Sequence, residues 1–478
     1  MAELHDLTAL QAAVAIRTKE VSPTELVEHY LDRIARLDGQ LGAFVTVTAE
    51  AARQQAAEAE RAVLTGAELP LLHGVPTAIK DLNLTAGVPT KFGSVTTADF
   101  VPAVDDYVVR LLRRSGTISL GKTATPEFGL PCYTETDLGP PARNPWDTDR
   151  QAGGSSGGAG AAVAAGLLPI AQGSDGGGSI RIPASVNGLF GLKTARGRIS
   201  RGPLDLDSSG LSVLGPLART VRDAAAFLDL TAGPQPGDLT WAAPLPPGES
   251  YLGWCDREPG RLRIGRYLDP PIPGAAVDPE CATAWQRASE LLERLGHEVV
   301  DIELPLPPQI IEAFEAVWVV SAATVPVAAD QEHRLRPLTR HLRERGRRVS
   351  GAEYANAVAQ LGLISRQSVT ATAGFDAVLT PTLALPPRPV GWFCGTPDDP
   401  VDPAEDFERQ KMFTPYTAVY NASGQPAASL PLHWSADGLP IGVMLVGRPG
   451  GEAPLLALCA QLEAAAPWAD RHPPIWRQ

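Results

Sequence analysis

The stretch GGSSGGAGAAVAAGLLPIAQGSDGGGSIRIPASVNGLFGLK, residues 153–193, decides how the whole chain is interpreted. Its first part belongs to a segment, residues 151–174, that carries no charged side chain over 24 positions, which is long enough to cross a bilayer. Gly, Ala, Ser and Gln dominate that segment and Pro169 interrupts it, so its hydropathy is too low for a membrane helix. We therefore predict a buried, glycine-rich segment of a soluble fold, with no membrane partner.

Short apolar runs alternate with helical patterns on both sides of this stretch. Ser22, Pro23 and Glu25 begin a helix with a capping box, and a second helix is predicted over 48–64. Strands are predicted at 75–79, 117–120, 168–171, 262–267, 376–379 and 443–446. Strands that alternate with helices predict a single α/β/α domain, with a large mixed, mostly parallel sheet covered by helices on both faces.

The Gly- and Pro-rich segment 233–248 is the best linker candidate within this domain. We expect one domain over 1–478 that consists of four parts. These are an N-terminal helical arm (1–66), a core (67–232), a substrate-side segment (249–370) and a C-terminal part of the core (371–478).

Charge and cysteine content exclude several functional classes. The formal net charge is −13, so the overall field does not attract nucleic acid, and we predict no nucleic-acid partner. The five cysteines are widely separated and never in CxxC spacing, which is typical of reduced thiols and gives no sign of a zinc site. The N-terminus lacks the basic start and apolar run of an export signal. We predict a cytoplasmic protein without metal or cofactor.

Two short glycine motifs offer competing interpretations. GTISLGKT, at 116–123, matches a phosphate-binding loop, but the motif would place a predicted strand inside the loop. GSSGG, at 154–158, matches the nucleophile elbow of α/β-hydrolases, with Ser156 as nucleophile. An elbow also needs a later Asp or Glu and then a His, and no later histidine lies in a distinctive setting. An esterase that uses Ser156 stays an alternative.

The long stretch itself resembles the amidase signature family. GGSSGG, SDGGGSIRIPAS and GLFGLK match the serine- and glycine-rich core of that family, and other family blocks follow the family's order along nearly the whole chain. These blocks are GVPTAIKD (74–81), GKTATPEFG (121–129), NPWD (144–147), LTPT (379–382) and NASGQPAASLP (421–431). The branch that includes hydrolases of cyclic nylon dimers and aryl acylamidases is the most similar.

The resemblance implies a Ser-Ser-Lys triad that hydrolyses amides, with Ser179 as nucleophile, Ser155 as bridging serine after a cis peptide bond, and Lys80 as base. A lysine accepts a proton only when it is neutral, and lowering its pKa from about 10.4 to near 7 or 8 takes about 4 kcal/mol from burial and neighbours. Asp81 would oppose this, but in an extended segment successive side chains point to opposite faces.

The residues around Ser179 and Ser155 receive supporting roles. Glycine lets backbone N–H groups converge on a developing oxyanion, so the backbone of residues 176–179 (Gly176, Gly177, Gly178 and Ser179) is the predicted oxyanion hole. The resemblance implies that Asp175 and Arg181 brace this loop as an ion pair. Ser156 is expected to support the triad through hydrogen bonds.

Substrate identity is the least constrained prediction. The predicted pocket residues are Cys132, Tyr133 and Gln425, and the apolar segment 310–329 is expected near the substrate. Residues 131–134 depart from the family pattern, as does Lys193-Thr194-Ala195. We predict a small-molecule amide or carbamate substrate, and therefore a urethanase or aryl acylamidase activity on uncharged aryl or alkyl groups. The amidase subunit of a tRNA-dependent amidotransferase is the main alternative, and the sequence leaves a homodimer open.

Overall fold

Capping signals in the sequence start the helices that they predict. Ser22 accepts a hydrogen bond from the Glu25 amide at 3.1 Å, and the Ser22 amide donates to the Glu25 carboxylate at 2.8 Å. This capping box begins the helix Pro23–Leu41, and Gly42 ends it in the left-handed conformation. The computed structural model describes residues 3–205, 209–303 and 306–478.

The described chain alternates helices and strands along most of its length. In chain order the helices are α1 (Ala9–Thr18), α2 (Pro23–Leu41), α3 (Ala49–Leu64), α4 (Tyr107–Arg114), α5 (Gly157–Ala164), α6 (Arg181–Asn187), α7 (Val221–Thr231), α8 (Tyr251–Trp254), α9 (Pro279–Arg294), α10 (Gln309–Thr324), α11 (Pro337–Arg348), α12 (Gly351–Ala371), α13 (Pro403–Phe413), α14 (Val419–Ala422) and α15 (Glu452–Ala465). The strands are β1 (Phe44–Val47), β2 (Pro76–Lys80), β3 (Ile118–Thr123), β4 (Arg143–Asn144), β5 (Asp147–Gln151), β6 (Ile170–Asp175), β7 (Phe190–Lys193), β8 (Val213–Ala218), β9 (Arg263–Arg266), β10 (Glu298–Asp301), β11 (Ala377–Pro381), β12 (Ala427–Trp434) and β13 (Pro440–Gly447).

The large sheet is mixed, as predicted, but it is not mostly parallel. Its eight strands lie in the order β10-β9-β11-β13-β12-β7-β8-β6. Within the described residues, only the β10–β9 and β9–β11 pairs are parallel, and the remaining five pairs are antiparallel. Only the expectation of mostly parallel pairing is wrong, because a short apolar run does not reveal the direction of the strands beside it.

A separate three-stranded sheet, β1-β3-β2, stands beside the end of the large sheet. Side chains connect the two sheets: Thr77 Oγ1 donates to the Ile170 carbonyl at 3.1 Å, and the Lys80 amide donates to Gln172 Oε1 at 2.9 Å. The carboxyl ends of β2 and β6 therefore meet, which places Lys80 next to the residues that follow β6. None of the helices described is both long and apolar enough to cross a membrane.

Candidate active site

Lys80 is the last residue of β2, and its side chain is fully buried. Its Nζ lies 2.7 Å from Ser155 Oγ, 3.0 Å from Ser174 Oγ and 3.4 Å from the Ser174 carbonyl oxygen. Burial lowers the pKa of Lys80 well below its usual value; the charge of Arg201 lowers it further and that of Asp175 opposes this. Burial therefore disfavours the ammonium form of Lys80, and the close partners of its Nζ are two hydroxyl groups and a carbonyl oxygen.

Asp81 points away from Lys80, as the alternation of an extended segment predicts. Its Oδ1 lies 3.4 Å from Lys122 Nζ, and its Oδ2 accepts a hydrogen bond from the Lys91 amide at 3.0 Å. Burial raises the pKa of Asp81 to about 6 while the charge of Lys122 opposes the rise. The carboxylate that follows the candidate base in sequence is therefore paired with a different lysine.

Ser155 follows a cis peptide bond to Gly154, as the resemblance implied. Position 154 has no room for a side chain, because a Cβ there would lie 2.6 Å from the Tyr133 amide nitrogen. The next residue, Ser156, is completely buried, and its Oγ donates to the Ser174 carbonyl at 3.2 Å. The Ser156 amide in turn donates to the Ser179 carbonyl at 3.2 Å, which ties the two serine-bearing loops together.

The glycine loop between β6 and α6 is clamped by the predicted ion pair. Arg181 Nη2 and Nε lie 2.8 and 3.0 Å from the two oxygens of Asp175. The same carboxylate accepts hydrogen bonds from the amides of Gly178 (2.8 Å) and Ile180 (3.1 Å). Because the Gly178 amide is committed to Asp175, it is not available to an oxyanion. The amides of Gly176, Gly177 and Ser179 make no hydrogen bond to another described residue.

Two polar residues in this region were missed by the sequence analysis. Ser174 contacts Lys80 directly, although it stands in the recognised block SDGGGS. Asn421 donates to Asp175 Oδ1 at 2.9 Å and accepts from Arg181 at 2.6 Å. Burial alone would raise the pKa of Asp175, but Arg181, Lys193 and Asn421 together lower it below its usual range. The block that begins with Asn421 was the available signal, but its contact with the glycine loop depends on tertiary structure.

A largely apolar cavity opens onto Ser179. One wall is helix α10, where the rings of Phe314 and Trp318 stack with their centroids 5.5 Å apart. These rings face the glycine loop, since a Cβ on Gly176 would lie 3.5 Å from Trp318 and one on Gly177 3.6 Å from Phe314. Segment 310–329 is the one that we predict to lie near the substrate, and its first half lines this cavity.

The three predicted pocket residues lie in different places. Cys132 lines the cavity, together with Leu130 and Pro131. Tyr133 does not, because its ring stacks on Phe393 behind the wall and its hydroxyl donates to Asp406 at 2.6 Å. Gln425 was also placed wrongly: its side chain donates to the Gly447 carbonyl at 2.9 Å, and it borders a different cavity. Both errors concern the direction of a side chain, which the motif does not encode.

The two competing motifs do not form the sites that they suggest. Gly121 and Lys122 lie inside β3, and the buried Lys122 pairs with Asp81, so no phosphate-binding loop forms there. Ser156 does not border the cavity, whereas Ser179 does. His433 lies in β12, and its Nε2 is 3.0 Å from a carboxylate oxygen of Glu280. It makes no contact with Ser156 or Ser179.

A buried lysine in contact with a serine hydroxyl, and a second serine in a clamped glycine loop that borders an apolar cavity, are groups that a hydrolase of the amide-cleaving class uses. Comparison with known proteins agrees: the Amidase family model matches residues 25–456, and the chain belongs to that family. It is an enzyme that hydrolyses carbon–nitrogen bonds of amides.

The chain is similar to relatives of two kinds, 6-aminohexanoate-cyclic-dimer hydrolases and an aryl acylamidase. A 6-aminohexanoate-cyclic-dimer hydrolase from Paenarthrobacter ureafaciens is 36% identical over 98% of this chain and 96% of its own length. A solved structure of a 6-aminohexanoate cyclic dimer hydrolase with substrate superposes with a TM-score of 0.90 at 33% identity, covering 99% of this chain and 100% of the other. A bacterial aryl acylamidase of the amidase signature family superposes with a TM-score of 0.86 at 27% identity, with 98% of each chain covered.

Proposed function

We propose that this protein cleaves amides with Ser179 as nucleophile, Ser155 as bridging serine and Lys80 as base. The observation that carries the proposal is the 2.7 Å contact between Lys80 Nζ and Ser155 Oγ at a fully buried position. A buried lysine whose close partners are hydroxyl groups is favoured as the neutral amine, which is the form that accepts a proton.

The proposed reaction balances its protons through the bridging serine. Ser179 Oγ attacks the amide carbon and passes its proton to Ser155, which passes its own proton to Lys80. The tetrahedral intermediate then collapses, the carbon–nitrogen bond breaks, and the leaving amine receives the proton from Lys80 through Ser155. Water attacks the acyl-enzyme with the same relay and regenerates Ser179.

The oxyanion would be held by the backbone of the glycine loop. The amides of Gly176, Gly177 and Ser179 are the candidate donors, because Gly178 donates to Asp175 instead. The space in front of Gly176 and Gly177 is bounded by the rings of Trp318 and Phe314 at ordinary contact distance. A side chain at either glycine would therefore occupy the space that a substrate needs.

The cavity favours uncharged aryl or alkyl groups as substrates. Glu315 and Lys411 are the charged residues among its described lining, and they pair with each other at 2.7 Å. Arg345 and Glu408 satisfy them further, at 2.8 and 2.6 Å. The α-ammonium and α-carboxylate of glutamine would therefore have to compete with existing ion pairs, whereas apolar groups gain about 0.8 kcal/mol per buried methylene. Carbamates present the same carbonyl geometry and belong to the proposed substrate class.

A substrate panel with active-site variants tests the proposal. We expect Ser179→Ala and Lys80→Ala to lose turnover while Ser156→Ala keeps a measurable rate. An active Ser179→Ala variant together with an inactive Ser156→Ala variant would support the elbow mechanism instead. Values of kcat/KM should fall from anilides, cyclic amides and carbamates to glutamine; faster ammonia release from glutamine would favour the amidotransferase subunit.

A pair of tryptophan variants tests the role of the cavity. Trp318→Ala should lower kcat/KM for anilides about tenfold, since an aromatic contact is worth about 1 kcal/mol beyond its buried area. Trp241→Ala is the matched control, because Trp241 is 67% exposed and does not line the cavity. Equal losses in the two variants would contradict an aromatic acyl pocket.

The proposed relay uses side chains alone, so we propose that catalysis needs no metal or cofactor. Dialysis of the enzyme against EDTA should leave kcat unchanged. Loss of activity that zinc restores would contradict the mechanism. The five cysteines are free thiols, which supports the proposed cytoplasmic location.

A further inference from the structure

Two histidines meet where the N-terminal segment packs against the C-terminal end of the chain. His5 lies in the short 3₁₀ helix Leu4–Asp6 and is buried, while His29 lies on α2 and is half-buried. Their rings are almost coplanar, at 14°, with centroids 5.2 Å apart and His5 Nδ1 3.0 Å from His29 Nε2. The two rings therefore meet edge to edge through their nitrogen atoms.

The contact made by the second ring nitrogen of His5, Nε2, identifies the tautomer of this ring. His5 Nε2 lies 3.1 Å from the carbonyl oxygen of Trp476. A carbonyl can only accept, so Nε2 carries the hydrogen, and in the neutral ring Nδ1 is an unprotonated acceptor. A histidine whose far nitrogen donates to a backbone carbonyl is held in the orientation and tautomer that metal-ligating histidines commonly have.

We propose that Glu3, His5 and His29 form a binding site for a divalent transition metal such as Zn²⁺. One ligand atom from each of the three residues lies within 4.8 Å of the others. Two imidazole nitrogens at about 2.0–2.1 Å from a tetrahedral ion are about 3.3 Å apart, close to the 3.0 Å that separates the nitrogens of His5 and His29. Two imidazoles and one carboxylate suit zinc and its neighbours rather than Mg²⁺ or Ca²⁺.

Binding requires one rearrangement, which the burial pattern allows. His29 must turn so that its Nε2 lone pair faces the ion, and its proton must move to Nδ1. His29 is only half-buried and Glu3 is exposed, so both can adjust, whereas His5 is held by Trp476. Arg33 brings a nearby positive charge, but its guanidinium donates to the carbonyls of Ala165, Gly166 and Trp476.

The proposed site lies at the opposite end of α5 from the candidate active site. Helix α5 starts directly after Ser156 and has eight residues, a length of about 12 Å. A Cβ on Gly166, which follows α5, would lie 3.1 Å from His5 Cδ2. The metal would join residues 3–5, α2 and the C-terminal end of the chain without contact to the reacting atoms. This inference is independent of the proposed function.

Metal titration of the untagged full-length enzyme tests the site. The protein is stripped with a chelator, freed of the chelator, and titrated with ZnCl₂ by calorimetry; Tm is measured in parallel. We expect one saturable Zn²⁺ per chain and a Tm that rises with the logarithm of the Zn²⁺ concentration above Kd. Amidase activity should be the same with and without Zn²⁺.

Variants identify the ligands. His29→Asn should lose at least about tenfold in Zn²⁺ affinity together with the Tm increase. Glu3→Gln should weaken binding by a smaller factor, and because Glu3 is exposed this variant decides the question even where His29→Asn folds poorly. His333→Asn, on an exposed histidine elsewhere, should bind like the wild type. No saturable binding, or wild-type affinity in both His29→Asn and Glu3→Gln, would overturn the proposal.

Discussion

Lys80 and Lys122 are two buried lysines on neighbouring strands with opposite surroundings. Strand β2 pairs with β3, and Lys122 lies opposite Ile79, the residue before Lys80. Lys80 Nζ meets the hydroxyls of Ser155 and Ser174, whereas Lys122 Nζ meets the Asp81 carboxylate at 3.4 Å and the Asn83 carbonyl at 2.8 Å. The two lysines thus share a level of burial but not a partner.

The difference shows what turns a buried lysine into a candidate base. Burial lowers the pKa of both lysines, but Asp81 raises that of Lys122 back toward its usual range. Lys80 has no carboxylate within hydrogen-bonding distance among the described residues, and its pKa stays well below the usual value. Alternation along β2 produces this separation, because it sends Asp81 to the face that Lys122 occupies.

The largest expected effect is on turnover. Lys80→Met should lower kcat at least about 10³-fold, because the members of a catalytic unit fail together. Lys122→Met should keep kcat of the folded fraction within about tenfold, since Lys122 does not touch the relay. Both are measured on purified protein whose folding is checked by circular dichroism. Equal losses in the two variants would remove the distinction between the lysines.

For stability we expect the opposite order, with the larger loss in Lys122→Met. Lys122→Met leaves the Asp81 carboxylate buried without its partner, which should reduce the free energy of unfolding by about 3–5 kcal/mol. Lys80→Met removes a desolvated amine and should leave stability unchanged or higher. Urea unfolding measures both. Adding Asp81→Asn to Lys122→Met should recover part of the loss, and a further loss in the double variant would contradict the ion-pair account.

The pH dependence should reveal the neutral lysine. Activity should rise about tenfold per pH unit on the acid side until Lys80 is deprotonated, at a pH well below 10.5. The contribution of Lys80 to stability should also rise with pH up to the unfolded pKa of about 10.4, because the unfolded chain binds a proton that folded Lys80 lacks. Lys193, whose pKa burial lowers to about 7, adds a contribution of the same sign.

The difference between wild type and Lys80→Met isolates the contribution of Lys80. We expect the wild-type free energy of unfolding to rise more steeply between pH 7 and 10 than that of the variant. Identical slopes would mean that Lys80 is protonated in the folded enzyme.

The smallest expected effect concerns the second hydroxyl at Lys80. Ser174→Ala removes the 3.0 Å contact while leaving the Ser155 contact in place. We expect a decrease in kcat/KM of about fivefold, which corresponds to the loss of one hydrogen bond of about 1 kcal/mol. Thr194→Val, which alters another buried hydroxyl that bonds the Leu214 carbonyl, serves as the control and should leave kcat/KM close to wild type. A loss as large as that of Lys80→Met would move Ser174 into the relay itself.

Local signals in the sequence predict much of the fold, whereas strand pairing is not predictable from them. Capping residues such as Ser22 and Glu25 mark the start of a helix because they act within a few residues. The direction of β12 and β13 relative to their neighbours depends on contacts between distant segments. The sheet was therefore predicted as mixed but with too many parallel pairs.

The candidate site likewise has features that local sequence predicts and features that depend on tertiary contacts. Lys80, Ser155 and Ser179 stand in motifs, so their positions can be predicted, and Asp175 with Arg181 follows because the pair spans one short loop. The direction of the Tyr133 and Gln425 side chains depends on Asp406 and Gly447, which are distant in sequence from their respective partners. Asn421 and the cavity wall from α13 likewise reach the site only through the tertiary fold.

The separation of β2 from the large sheet means that Lys80 and Ser179 of the proposed proton relay follow strands of two different sheets. Lys80 ends a strand of the small sheet, while Ser179 follows β6 of the large one. The side chains of Thr77 and Gln172 form hydrogen bonds between the two sheets. A displacement of one sheet relative to the other by the length of a hydrogen bond would break the relay while every strand stayed intact. Enzymatic activity should therefore fall on heating before the secondary structure is lost.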